Sequence, residues 1–329
     1  MKTRVVSGIQ PSGSMHLGNY LGAIKNWLPL QFQHQCLFFL ADLHTITIPQ
    51  NPETLKRNVI ATAATYLAAG IDPKKTILFC QSSVVEHAEL SWILSCMTSM
   101  GWLERMTQFK DKAGSEKERA SLGLFSYPVL QSADVLIYKA DLVPVGEDQR
   151  QHLELARDIA ASFNRYTNSN YFKLPEAMIM KEAARIMSLR DGLKKMSKSD
   201  SSDLSRINLM DDADLIMQKI KKAKSDSIAE IFYDKEKRPE VSNLLDIYAC
   251  LTESKIAEVV KQYEGKLCGQ FKQDLAEILI DKITPIGDKI KKLCQNDEGY
   301  VRDVLKEGAE QASIIAKHNI KEIKDLIGL

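Results

Sequence analysis

The sequence predicts an α/β fold: a doubly wound parallel sheet followed by an all-helical C-terminal domain. Short apolar runs alternate with helix-period segments through the first half, the pattern of βαβ units around a parallel sheet. After about residue 187 the strand-like runs stop and only helical periodicity remains. A polar stretch over 188–205 separates the two compositions. In chain order, residues 4–8 read as the first strand and 19–29 as the helix after it, and 36–40 form a buried strand. Pro52 starts a helix over 53–69 that stops at Gly70. Residues 76–80 are the next strand, and 86–100 a helix stopped by Gly101. Pro128 begins a helix over 129–138, residues 142–145 form a strand running into Gly146, and 147–163 form a helix. Beyond the polar stretch, helices are expected over 211–224, 242–249, 254–263, 267–282 and 285–294, with further helical sequence over 297–327. The resulting division is 1–187 for the sheet domain, 188–205 for a loop and hinge, 206–295 for the helical domain, and 296–329 for a helical segment that packs back on the sheet domain.

Composition narrows the class. A chain of 329 residues suits two domains, and 44% hydrophobic with 26% charged residues is ordinary for a globular protein with a sizeable core. Met1-Lys2-Thr3-Arg4 leads straight into a strand pattern, without the apolar region of a signal peptide. No apolar run approaches the roughly 18–20 residues of a membrane span. The six cysteines show no C-x-x-C spacing and read as reduced thiols of a cytoplasmic protein, with no metal site expected. The net charge of +1 gives no global sign of a nucleic-acid partner. Two local lysine runs, Lys219-Lys221-Lys222-Lys224 and Lys289-Lys291-Lys292, read either as a basic footprint or as solvated helix faces.

Two loops carry the chemistry. Ligands of a doubly wound sheet bind beyond the carboxyl ends of the strands, where the first strand-to-helix junction, residues 8–19, lies. There Gly18 permits close backbone approach, and the following helix N-terminus offers N–H groups to phosphate. His16 can donate to a phosphoryl oxygen, and Asn19 to sugar or phosphate. Taken alone, such a histidine is equally a structural residue. The glycines fit neither the dinucleotide fingerprint nor the P-loop. The second loop, Lys194-Lys195-Met196-Ser197-Lys198-Ser199, places mobile ammonium groups and hydroxyls where they can follow a pyrophosphate as charge builds on it, while Met196 packs the loop down. Together the loops read as the fixed and closing halves of a triphosphate clamp.

On these residues the chain resembles a class I aminoacyl-tRNA synthetase, with His16-Leu17-Gly18-Asn19 as the "HIGH" element and Lys195 to Ser199 as "KMSKS". More narrowly it resembles the bacterial tryptophanyl-tRNA synthetase family, through residues 7–13, 18–20, 104–110, 143–149, 151–152, 184–189 and 195–199. The resemblance implies a Rossmann-like catalytic domain, an anticodon-binding helical domain, a homodimer, and Mg·ATP, L-tryptophan and tRNA(Trp) as substrates and partners. It implies that Gln10, Pro11, Ser12, Gly18 and Asn19 line the ATP cleft. Gly146, Glu147 and Asp148 then meet the adenosine from the opposite strand, and Ile186 touches adenine. Lys195, Met196, Ser197, Lys198 and Ser199 close on the triphosphate, with Lys195, Lys198 and His16 as the catalytic set.

For the amino-acid pocket, the resemblance places Asp134 as acceptor of the indole N–H. Tyr127, Gln131, Val143 and Val145 form the walls, and His44 lies nearby. A buried carboxylate rejects phenylalanine, which would leave it unpaired, so no editing domain is required. The related tyrosyl family places a tyrosine where Val6 stands and commonly appends an RNA-binding domain after the helices, which is not expected here. Two departures mark the sequence: histidine at 16, where many bacterial tryptophanyl enzymes have threonine, and Gln131, where some have methionine. An adenylyltransferase of the same superfamily would share the H-x-G element without the Asp134 pocket, and a non-catalytic paralogue would have lost motif residues.

Overall fold

The computed structural model describes residues 2–11, 13–107, 121–146, 149–179, 185–198, 200–228 and 230–329. Its sheet begins with β1 (Arg4–Ile9), which runs into α1, a helical run of three pieces: Leu17–Asn19, a π-helical turn Tyr20–Ile24, and Lys25–Trp27. Next come β2 (Gln35–Leu40), the short α2 (Asp42–Thr45), α3 (Pro52–Ala69) and β3 (Thr76–Cys80). Then follow α4 (Glu86–Ser95), α5 (Met100–Glu104), α6 (Leu122–Leu136), β4 (Leu142–Val145), α7 (Arg150–Tyr166) and β5 (Glu176–Ile179). The rest is helical: α8 (Ala213–Lys221), α9 (Pro239–Thr252), α10 (Ile256–Gln262), α11 (Cys268–Gln295) and α12 (Glu298–Ile327).

The five strands lie in the order β3-β2-β1-β4-β5, and every pairing is parallel. Strand order therefore reverses at β1, and a crevice opens between the carboxyl ends of β1 and β4. Local chemistry explains well-read elements such as α3. Asn51 caps it by accepting from the Thr54 N–H at 2.9 Å, Pro52 supplies its first turn, and Gly70 ends it in the left-handed region at φ 115°.

Other elements depart from the sequence reading. β5 was not expected: Glu176-Ala177-Met178-Ile179 favours helix by composition, and it becomes a strand by pairing with β4 at the sheet edge. Pro128 sits inside α6, which starts six residues earlier because the Ser121 hydroxyl caps Leu124 N–H at 3.1 Å. Gly101 does not stop a helix but lies in α5. α4 ends at Ser95, where the Ser95 and Thr98 hydroxyls bond back to the carbonyls of Ser91 and Leu94. Pro285 likewise lies within a single helix, α11, whose buried residues on both sides (Ile283, Gly287) share one core. The π-helical turn of α1 was also not foreseen.

One apolar cluster joins a face of the sheet to the helical part without a break, passing from Val5 and Phe38 through Met15, Ile186 and Met196 to Leu245 and Leu279. A second covers the opposite face and includes Ala309, Ala312, Ala316, Ile320 and Ile323 of α12. α12 is further tied to the sheet layers by Asn319 Nδ2 donating to the Ile137 carbonyl at 2.7 Å and by the Lys139–Glu322 and Lys324–Glu89 ion pairs. Its approach to β3 is close enough to require Gly308, where a Cβ would lie 1.9 Å from the Leu78 carbonyl oxygen. Gly299, in the first turn of the same helix, has nothing within 4 Å of such a Cβ. Gly308→Ala is therefore expected to destabilise the protein by about 1–3 kcal/mol, whereas Gly299→Ala should be neutral or stabilising by up to about 1 kcal/mol. Urea unfolding midpoints of the two variants check this, and equal midpoints would contradict the packing argument.

Candidate active site

The crevice at the strand reversal is a cavity of about 390 Å³. β1 contributes its floor, and the β4 side contributes Val143, Val145 and Gly146. Gln10, from the end of β1, lies at the same cavity. Gly8 is glycine because a Cβ there would come within 2.5 Å of the Phe39 ring, which also lines the space. Helix α6 supplies Tyr127, Gln131 and Asp134, and α2 supplies His44. All six residues expected to form the amino-acid pocket thus share one cavity with Gln10 and Gly146.

Its polar centre is Asp134, 1% exposed on a helix packed into the core. Its Oδ2 lies 2.8 Å from His44 Nε2, and its Oδ1 accepts from Gln81 Nε2 at 2.7 Å and lies 2.6 Å from His87 Nδ1. Burial opposes its charge, but hydrogen bonds from His44 and His87 outweigh that and hold the carboxyl at about 2. The group is a carboxylate at any working pH. At the cavity rim, Tyr127 meets His152 Nε2 at 2.9 Å, and Gln131 Nε2 donates to Gln149 Oε1 at 3.2 Å. Val6 is fully buried at the floor, so no phenol arises from β1 there.

The residues of the two signature loops meet beside this cavity. Leu17 N–H donates to the Ile207 carbonyl at 2.8 Å and Leu209 N–H to the Met15 carbonyl at 2.9 Å, an antiparallel stitch centred on His16 and Asn208. Asn19 turns its side chain inward to cap the turn, its Oδ1 accepting from His16 N–H at 3.1 Å. The lysine loop folds on itself, with Ser188 N–H bonded to the Lys194 carbonyl at 2.7 Å and Met196 N–H to the Ile186 carbonyl at 3.0 Å. Met196 is buried over Gly18, where an added Cβ would sit 3.6 Å from Met196 Cβ. Lys198 Nζ donates to the Gly13 carbonyl at 3.0 Å, Ser197 is half-buried, and Lys195 projects outward. Pro11 is buried at the end of β1, and Ile186 lies in the core that joins sheet and helices.

Electrostatics there favours an anion. Burial first, then the positive charges of Lys198, Arg206 and Lys195, push the His16 imidazole down to about 4, so it is neutral at pH 7. Its Nδ1 is buried without a partner among the described residues. Burial lowers the Lys198 ammonium to about 8. A neutral, unsatisfied imidazole and partly desolvated cations fit a polyanionic ligand, which would supply both a hydrogen-bond partner and counter-charge. Among the described residues no cluster of three or more His, Cys, Asp or Glu could hold a metal. Ser12, Glu147, Asp148 and Ser199 lie outside the described residues.

The base of the lysine loop is anchored by an ion cluster around the fully buried Lys219. Lys219 Nζ lies 2.6 Å from both Asp203 and Asp211, and Asn208 donates to each of those carboxylates. Within the lysine runs, Lys219 belongs to this cluster, Lys289 donates to the Leu67 carbonyl and Lys224 pairs with Glu240, while Lys221 and Lys222 are exposed. The sequence reading missed Gln81 and His87. Gln81 directly follows β3, where the position just beyond a parallel strand's carboxyl end was the available signal, whereas His87 lies in the first turn of α4.

With this geometry in view, comparisons with known proteins become informative. A family model described as "tRNA synthetases class I (W and Y)" matches residues 1–307. The chain is similar to a tryptophan–tRNA ligase from Rickettsia bellii, 59% identical over 328 residues spanning 100% of this chain and 99% of that protein. It is 47% identical over 348 residues to one from Brucella melitensis, covering 99% of this chain and 98% of that one. Among solved structures, tryptophanyl-tRNA synthetase from Mycoplasma pneumoniae superposes with a TM-score of 0.88 at 35% identity, covering 100% of this chain and 98% of that one. The Campylobacter jejuni enzyme complexed with ADP and tryptophan superposes at 0.84 and 38% identity, covering 99% and 100%. With the strand reversal, the stitched signature loops and the family match over nearly its whole length, the chain belongs to the class I tRNA synthetases of the tryptophan and tyrosine group.

Proposed function

We propose that this chain activates L-tryptophan with Mg·ATP and transfers it to the 3′ end of tRNA(Trp). The observation that carries the choice of substrate is Asp134, an ionised acceptor buried at a cavity whose floor bears Val6 rather than a phenol-binding residue. Indole N–H is a donor only, so it matches such an acceptor. The names of the similar proteins support the same reading.

In the first step a tryptophan carboxylate oxygen attacks the α-phosphorus in line. The bond from that phosphorus to the bridging oxygen breaks, and pyrophosphate leaves with its electrons. In the second step the terminal adenosine hydroxyl of tRNA attacks the acyl carbon, and AMP leaves. No protein nucleophile is needed; orientation and charge stabilisation do the work. Lys195 and Lys198 take up charge on the leaving pyrophosphate, and His16 donates to a phosphoryl oxygen. Gln10, Pro11, Ser12, Gly18, Asn19, Gly146, Glu147, Asp148, Ile186, Met196, Ser197 and Ser199 complete the ATP site in this reading, with Mg²⁺ arriving on ATP. Tyr127, Gln131, His44, Val143 and Val145 shape the indole slot. The helices over 206–295 take the anticodon, the segment 296–329 braces the catalytic domain, and the enzyme works as a homodimer in the cytoplasm; these points rest on family resemblance. Among the described residues no helix is long and apolar enough to cross a membrane.

Tryptophan-dependent exchange of pyrophosphate into ATP tests the reading. Exchange should appear with tryptophan; its absence, or stronger exchange with tyrosine, would overturn it. Lys195→Ala should slow exchange by roughly 10²–10³-fold with little change in tryptophan affinity measured by equilibrium dialysis, whereas an unchanged rate would remove Lys195 from the chemistry. The pH dependence has a definite sign. Lys198 loses charge as pH rises through about 8, so the ATP KM should climb between pH 7 and 9, by at most about tenfold per unit. Lys198→Arg, which stays charged, should flatten that climb.

A further inference from the structure

The cavity carboxylate is held from behind by residues that do not line the cavity. Gln81 and His87 are both fully buried, and both bond to Asp134 Oδ1. An ionised carboxylate offers about four lone-pair directions, two on each oxygen. Gln81 and His87 fill the two on Oδ1, and His44 takes one on Oδ2. One direction remains, on the oxygen whose other partner, His44, is itself a cavity residue.

His87 has little freedom to change its part. Its ring is enclosed by those of Phe39, Phe79 and Tyr138, with centroids 5.8, 5.9 and 5.3 Å away. Its Nε2 lies 2.7 Å from the Tyr138 hydroxyl. Burial, and then the negative charges of Asp134 and Glu86, push the Tyr138 phenol up, so it stays protonated and can donate. A one-way chain results: Tyr138 O–H to His87 Nε2, and His87 Nδ1–H to Asp134.

We propose that His87, acting with Gln81, is a positioning residue for substrate selection: it fills Oδ1 and fixes the plane of Asp134, so that a single lone pair on Oδ2 is offered to the indole N–H. The proposal rests on the tryptophan reading of the cavity. A role confined to stability would satisfy a buried polar group equally well but would not set the discrimination between a substrate that donates at that position and one that does not.

The test compares tryptophan with its isostere carrying sulfur in place of the indole N–H, in ATP–pyrophosphate exchange by the full chain. His87→Leu should reduce the wild-type preference for tryptophan by about tenfold or more, mainly through the tryptophan KM, with the ATP KM within about twofold. His87→Asn, whose amide can replace the Nδ1–H donor, should recover most of the preference. An unchanged preference in His87→Leu overturns the proposal. So does a loss in which kcat falls equally for both substrates while the ATP KM rises in step, since that marks a general defect. If His87→Leu does not fold, the same ratio is read in Gln81→Leu, where a preserved preference again overturns it. Wild-type protein without tryptophan-dependent exchange would instead fail the underlying tryptophan reading, and is recognised before any variant is compared.

Discussion

The reversal of strand order at β1 is the constraint on which the site depends. With β2 on one side and β4 on the other, the chain segments leaving β1 and β4 diverge at their carboxyl ends. That divergence leaves room no side chain fills, and the polar residues beyond the strand ends face into it. β1 supplies the floor and leads into the first strand-to-helix turn, β4 supplies the opposite wall, and α6 the carboxylate. The cavity is a product of topology before it is a product of residue choice.

Within that frame, charge is placed where water is scarce and is balanced by defined partners. Asp134 remains ionised because three nitrogen groups outweigh its burial. Lys219 remains inside because two aspartates flank it. Such buried pairs contribute little net stability compared with apolar packing, yet they fix geometry, since any other arrangement leaves a charge unpaired. The lysine loop is the exception. There the buried Nδ1 of the neutral His16 has no partner among the described residues, and Lys195 is exposed.

Much of this was legible in the chain. The strand-to-helix junction at Gly8 to Asn19 and the capped helix between Pro52 and Gly70 announce themselves through local residue chemistry, and the apolar neighbours of Asp134 argue for its burial, while its place in the pocket came from the family resemblance. What could not be read depends on convergence. β5 is a strand only because β4 offers it an edge, against the helix preference of Glu176, Ala177 and Met178. Pro128 and Pro285 lie inside helices because packing on both sides outweighs the lost hydrogen bond. His44, Gln81, His87 and Tyr138 come from separate stretches of chain, and nothing in their spacing says that they meet around one carboxylate. Ser12, Glu147, Asp148 and Ser199 rest on resemblance alone.

The docking of α12 against the sheet also bears on how the molecule is made. Ala309, Ala312, Ala316, Ile320 and Ile323 complete the apolar layer over Phe79, Leu94 and Ile137, which are synthesised far earlier. α4, α6 and α7, which precede α12 in the chain, cover the rest of that face, so α12 closes a layer that is already largely in place. A chain without α12 would therefore expose the part of that layer over β3 to water, a local apolar patch rather than a bare sheet.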